Sequence, residues 1–176
     1  MVKNGADWAE NNYATSRQSM CFMLYAGTSR MLPRKEWRTD APDISVRSLT
    51  EIDVAVKEHF EHSQVQLIGS TSHCGCDFPC VNLQNGEWPT APNEDAERIA
   101  TESYNRQGLF RLLQDSDEET LELYCVWSGD IAKAPSVREE INLNRILDED
   151  FYFKERGFYL ARANRAPSRA TARLRR

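Results

Sequence analysis

Residues 72 to 80 read Ser-His-Cys-Gly-Cys-Asp-Phe-Pro-Cys, which places three of the chain's five cysteines and one of its three histidines in nine positions. Thiolate and imidazole are the donors that zinc and related ions take, and tight turns bring several of them to one point. Gly75, between the first two cysteines, lets the backbone bend so that the sulfurs of Cys74 and Cys76 face the same place. The spacing is weaker than a pair of C-x-x-C knuckles, of which the chain has none. His73 is adjacent to Cys74, so both reach one ion only with strain, and Pro79 stiffens the approach to Cys80. Two other chemistries stay open. Cys74 or Cys76 can act as a nucleophile or redox thiol, with its pKa lowered by His73 or by backbone donors. Alternatively, buried cysteines serve simply as small hydrophobes.

The elements that must carry this loop follow from hydrophobic pattern. The runs CFMLYAG (21–27), ISVRSL (44–49), VQLIGS (65–70), TLELYCVW (120–127) and RGFYLAR (156–162) have the length and bounds of strands. TEIDVAVKEHFEH (50–62) opens on a capping-box-like Thr50…Asp53 and sets Ile52, Ala55, Val56 and Phe60 at helical spacing, which predicts a helix. A second helix is predicted from Asn93 to about Gln114, with acids in its first turn and Gly108 weakening its second half. Residues 137–155 are ambiguous between strand and helical turn. The order of strands and helices predicts an α/β fold: one layered domain with a mixed, partly parallel sheet and two main helices.

If the strands ending at 27, 69 and 127 are parallel, their carboxyl ends form one rim, where Thr28, Ser70 and Asp130 line a pocket beside the cysteine loop. In that arrangement Cys21 begins its strand at the far end, and Cys125 is the better outside ligand. The predicted metal set is therefore Cys74 and Cys76 with one or two of Cys80, Cys125 and His73, and zinc is the predicted cofactor. His59 and His62, three apart near a helix end, are read as partners of the helix dipole.

Composition limits the remaining function classes. Over 176 residues the net charge is −5, hydrophobic residues make 40% and charged residues 28%, as in an ordinary globular domain. No run approaches the roughly 18 consecutive apolar residues of a membrane span, and the first twenty residues lack the apolar core of a secretory signal. A cytoplasmic protein is expected, and an odd cysteine count argues against a disulfide framework. Six arginines and no acids occupy 162–176, leaving 16 basic against 27 acidic residues in 1–161, a charge of −11. Such a body repels phosphate; the segment Arg162–Arg176 reads as a basic, solvated tail that can meet an acidic partner or nucleic acid. The domain is expected over 20–161, after a loose extension at 1–19. There is no G-x-G-x-x-G, phosphate-binding loop, G-x-S-x-G or H-E-x-x-H, which removes the commonest nucleotide, esterase and zinc-protease readings.

Three segments, MCFMLYAGTSRMLP (20–33), HFEHSQVQLIGSTSHCGCDF (59–78) and LYCVWSGD (123–130), together resemble a family of small bacterial proteins with no assigned activity. That family has a Met-Cys-x-x-Leu-Tyr-x-Gly-Thr strand, a Cys-Gly-Cys-Gly-Phe-like loop after a Gly-Ser turn, and a closing aromatic strand like GFYLAR. The matching positions are Cys21, Cys74, Gly75, Cys76 and Phe78. Asp77 departs from the pattern's glycine, and Cys80 is additional. The resemblance implies Met20 as an alternative start.

Overall fold

The computed structural model describes residues 21–81 and 96–163. The extension at 1–19, the helix start at Asn93 and all of the arginine tail beyond Ala163 lie outside the described residues. In chain order the strands are β1 (Phe22–Thr28), β2 (Ser45–Ser48), β3 (Gln64–Gly69), β4 (Cys80–Val81), β5 (Thr120–Trp127), β6 (Val137–Asn142), β7 (Phe153–Lys154) and β8 (Gly157–Arg162). One helix, α1, spans Ala96–Gln114, and two 3-10 turns cover Val54–His59 and Leu143–Leu147.

Six strands make one sheet in the order β2-β3-β1-β5-β8-β6, and β4 pairs with β7 in a small second sheet. The main sheet is mixed: β8 and β6 are parallel, and every other pair is antiparallel. β1 lies at its centre with all seven residues buried. Its first five residues, Phe22 to Ala26, are apolar without a break because both faces of a central strand are covered. Phe22, Leu24 and Ala26 pack with Leu121, Leu123 and Cys125 and with Leu109 and Leu113 of α1. Met23 and Tyr25 face the other way, against Tyr124, Val126, Phe158 and Val56. Leu109 and Leu113, four apart on α1, are both fully buried. Burial of each contributes on the order of 2 kcal/mol relative to exposure.

α1 runs through Gly108 to Gln114, the end expected from the sequence. A methyl group there would stand 2.6 Å from Ile44 Cγ1, so the glycine is what lets the helix lie close over the segment entering β2. Arg106 then ties α1 to the chain after β6, donating from Nη1 to the carbonyls of Ile146 (3.2 Å) and Asp148 (2.9 Å).

Two expectations are corrected. The segment 50–62 forms only the short 3-10 turn Val54–His59, so the described residues hold one main helix and not two. Its supposed apolar face is not buried as a face, because Ile52 is 81% and Val54 51% exposed while Val56 alone is fully covered. Asp53 is held instead by the Tyr25 hydroxyl at 2.9 Å and the Thr50 hydroxyl at 2.7 Å, which pins the segment to the sheet before a second turn can form. The second correction concerns direction. β1 runs antiparallel to both β3 and β5, so Ser70 and Asp130 lie at the end where β1 begins, and Thr28 lies at the opposite end. No rim shared by Thr28, Ser70 and Asp130 exists. No helix among the described residues is long and apolar enough to cross a membrane.

Candidate metal centre

The antiparallel pairing that separates Thr28 from Ser70 brings Cys21 to the cysteine loop. Cys21 sits at the entry to β1, and the loop leaves the end of β3 alongside it. The ligand atoms of Cys21, Cys74 and Cys76 all lie within 4.8 Å of one another. Among the described residues, no other set of three His, Cys, Asp or Glu side chains comes together in this way. Cys76 is exposed, and Cys21 and Cys74 are partly buried.

The loop is shaped by hydrogen bonds from three sides. Ser70, with no exposure, is its hub: its hydroxyl donates to the Cys74 carbonyl at 2.6 Å, and its amide donates to the same oxygen at 2.6 Å. The buried Asn105 of α1 grips Thr71 twice, accepting from its amide and donating to its hydroxyl, each at 2.9 Å. Trp37 Nε1 donates to the Thr71 carbonyl at 2.8 Å. Gly75 donates its amide to the Phe22 carbonyl at 2.7 Å, which fastens the loop to β1 next to Cys21. A Cβ at Gly75 would lie 2.7 Å from that carbonyl oxygen, so glycine serves close backbone approach here. The sulfurs accept weaker bonds in turn, Cys74 Sγ from the Cys76 amide at 3.4 Å and Cys76 Sγ from the Phe22 amide at 3.3 Å.

Asp77, where the resemblance has glycine, is not among the residues at positive φ. Its carboxylate accepts from the Thr71 hydroxyl at 2.8 Å, so the departure adds a brace to the loop and imposes no strain. The residue that does adopt the left-handed region is His73, at φ 74°. Its ring is exposed and stacks on Trp37, with centroids 5.1 Å apart.

The two loop thiols differ. Burial pushes the Cys74 thiol up, but donors from Cys76, Ser72 and Cys21 outweigh it and hold Cys74 below the ordinary cysteine range. Burial and the neighbouring Cys74 push Cys76 up to about 12. Cys74 therefore ionises first, and a bound cation is what would deprotonate the group as a whole.

The other predicted ligands stand apart from the cluster. Cys125 is fully buried in the main core, opposite Leu24 in register, and burial raises its thiol well above the ordinary value. Cys80 packs partly buried against the same core, with its thiol pushed up to about 11 by burial. His73 faces Trp37. Of the former rim, Thr28 donates to the Arg30 carbonyl at 2.6 Å, and Asp130 pairs with Lys133 at 2.9 Å. Cys21 had lost its place as a ligand only through the assumption of parallel strands. The three thiols can hold a metal ion. Comparison with protein-family models, curated proteins and solved structures finds no match for this chain, so the geometry of the cluster carries the functional reading.

Proposed function

We propose that this protein binds a transition metal, zinc or an ion of similar softness, through Cys21, Cys74 and Cys76. The observation that carries the reading is the convergence of three sulfurs from two segments distant in sequence, all within 4.8 Å. Tetrahedral thiolate zinc, with Zn–S bonds of about 2.3 Å, sets its sulfurs roughly 3.8 Å apart. Closing round an ion therefore asks the widest pair to move by at most about 1 Å. Thiolates select soft or borderline ions over magnesium and calcium. Elemental analysis of protein purified without a histidine tag tests this: close to one equivalent of metal is expected, lost in Cys74→Ser/Cys76→Ser and in Cys21→Ser alone. Parent protein free of metal after reconstitution with zinc refutes it.

A second reading is favoured by the unequal thiols. Cys74 held low beside an exposed Cys76 is also the arrangement of a reactive pair. A thiol reagent separates the two. Metal ligands react only once a chelator has removed the ion, whereas a nucleophilic Cys74 is modified at once near neutral pH.

A further inference from the structure

Every cysteine and histidine of the chain lies within the described residues, so each thiol and imidazole can be placed relative to the cluster. Cys125 is sealed in the core with no exposure. Cys80 is held in place by its pairing with Phe153 and by the Phe153 amide donating to the Pro79 carbonyl at 2.8 Å. His59 lies edge-on to Tyr124 with centroids 5.1 Å apart, and the amide of His62 donates to Glu122, which pairs with Gly27 at the other end of β1. His73 is turned onto Trp37 by its left-handed backbone. The nearest carboxylate in sequence, Asp77, is occupied by the Thr71 hydroxyl. Three sulfurs converge, and among the described residues no fourth thiol, imidazole or carboxylate joins them within the same 4.8 Å.

We infer that an ion at this site keeps its fourth coordination position for an external donor, and that the donor is a small-molecule thiol. The inference rests on the metal reading above and extends it from three protein ligands to an open fourth position, the feature that separates working from structural zinc. Three observations favour a thiol. The protein ligands are all sulfur, which suits an ion that prefers soft donors. Cys76 is exposed, so a small molecule can reach the cluster from solvent. Arg47 donates from Nη2 to the His73 carbonyl at 3.4 Å and sets positive charge beside the loop, where an added thiolate brings negative charge. The exchange balances simply: the thiol releases its proton to solvent and its sulfur displaces the water bound to the ion. No redox step is involved.

Cobalt(II) reports this directly, because its sulfur-to-metal absorption scales with the number of thiolates bound. The protein is loaded with cobalt and titrated with 2-mercaptoethanol, alongside Cys80→Ser. The near-ultraviolet charge-transfer band should rise by about a third as three thiolates become four, with the visible bands still those of a tetrahedral ion. The same rise is expected in Cys80→Ser. A spectrum that ignores added thiol while cobalt is bound overturns the open position and leaves the metal reading standing. Parent protein already at four-thiolate intensity, falling in Cys80→Ser, overturns it by making Cys80 the fourth ligand. Absence of cobalt uptake overturns both readings.

Discussion

Replacing Gly75 with alanine tests whether the approach of the loop to β1 builds the site. The added methyl would stand 2.7 Å from the Phe22 carbonyl oxygen, 3.2 Å from its carbon and 3.3 Å from the Leu24 nitrogen. All three are backbone atoms of the central strand, which cannot swing aside as a side chain would. Ordinary contact begins near 3.4 Å, so the loop must retreat by about 0.7 Å, which strains or breaks the Gly75–Phe22 hydrogen bond. A lost bond costs about 1 kcal/mol and overpacking about 1–3 kcal/mol. A total near 3 kcal/mol lowers Tm by about 6–12 °C in a domain of this size. The retreat also carries Cys74 and Cys76 away from Cys21, so cobalt affinity should fall at least tenfold. Gly129→Ala is the control, because nothing lies within 4 Å of a Cβ there. Thermal melts and a cobalt titration monitored by absorbance read both effects. If Gly75→Ala melts within 2 °C of Gly129→Ala and binds cobalt as the parent does, roughly no clash exists and the site is not set by this contact.

Three further outcomes are expected. Glu122→Ala removes a carboxylate only 3% exposed that accepts from the amides of Glu61 (3.1 Å) and His62 (2.9 Å); it should cost about 3 kcal/mol in urea unfolding, and a change under about 0.5 kcal/mol refutes the role. Cys125→Ser places a hydroxyl in an apolar core and should cost about 1–3 kcal/mol while leaving the cobalt spectrum untouched; loss of a sulfur band would make Cys125 a ligand after all. Glu118 is held below the usual carboxylate range by the Ser29 hydroxyl, with the Ser29 and Arg30 amides helping. A depressed carboxyl stabilises the fold above its unfolded value and loses that contribution as pH falls through the folded value. The Tm gap between parent and Glu118→Gln should therefore be present at neutral pH and close below about pH 4; a gap that is flat from neutral to acid pH counts against this.

Most strands were legible because apolar runs bounded by turn residues have few other uses: residues 120–127 were expected as a strand and form one. Strand direction was not legible. β1 is apolar from Phe22 to Ala26 and buried at every position, as a buried parallel strand would be, and nothing in its composition tells a central antiparallel strand from it. That one ambiguity moved Thr28 onto the wrong rim and exchanged Cys21 for Cys125 in the metal set. The segment 50–62 misled for a different reason. Its helical spacing is real, but the Tyr25–Asp53 bond and the exposure of Ile52 belong to the tertiary structure. The importance of Gly75 was visible from the sequence, yet its cause was not, since the glycine makes room for the Phe22 carbonyl rather than supplying an unusual turn.

The place of Cys21 at the mouth of the central strand has a consequence for how the chain finds its shape. Alternate residues of β1 feed opposite cores, so threading this strand one position out of step would exchange Leu24 with Tyr25 and carry the Cys21 sulfur to the other face. Only the correctly threaded strand sets Cys21 against the loop that follows β3. Colour from bound cobalt during refolding would thus appear at the moment this long-range pairing locks. It would time the slowest class of contact in a sheet protein with a probe the chain itself provides.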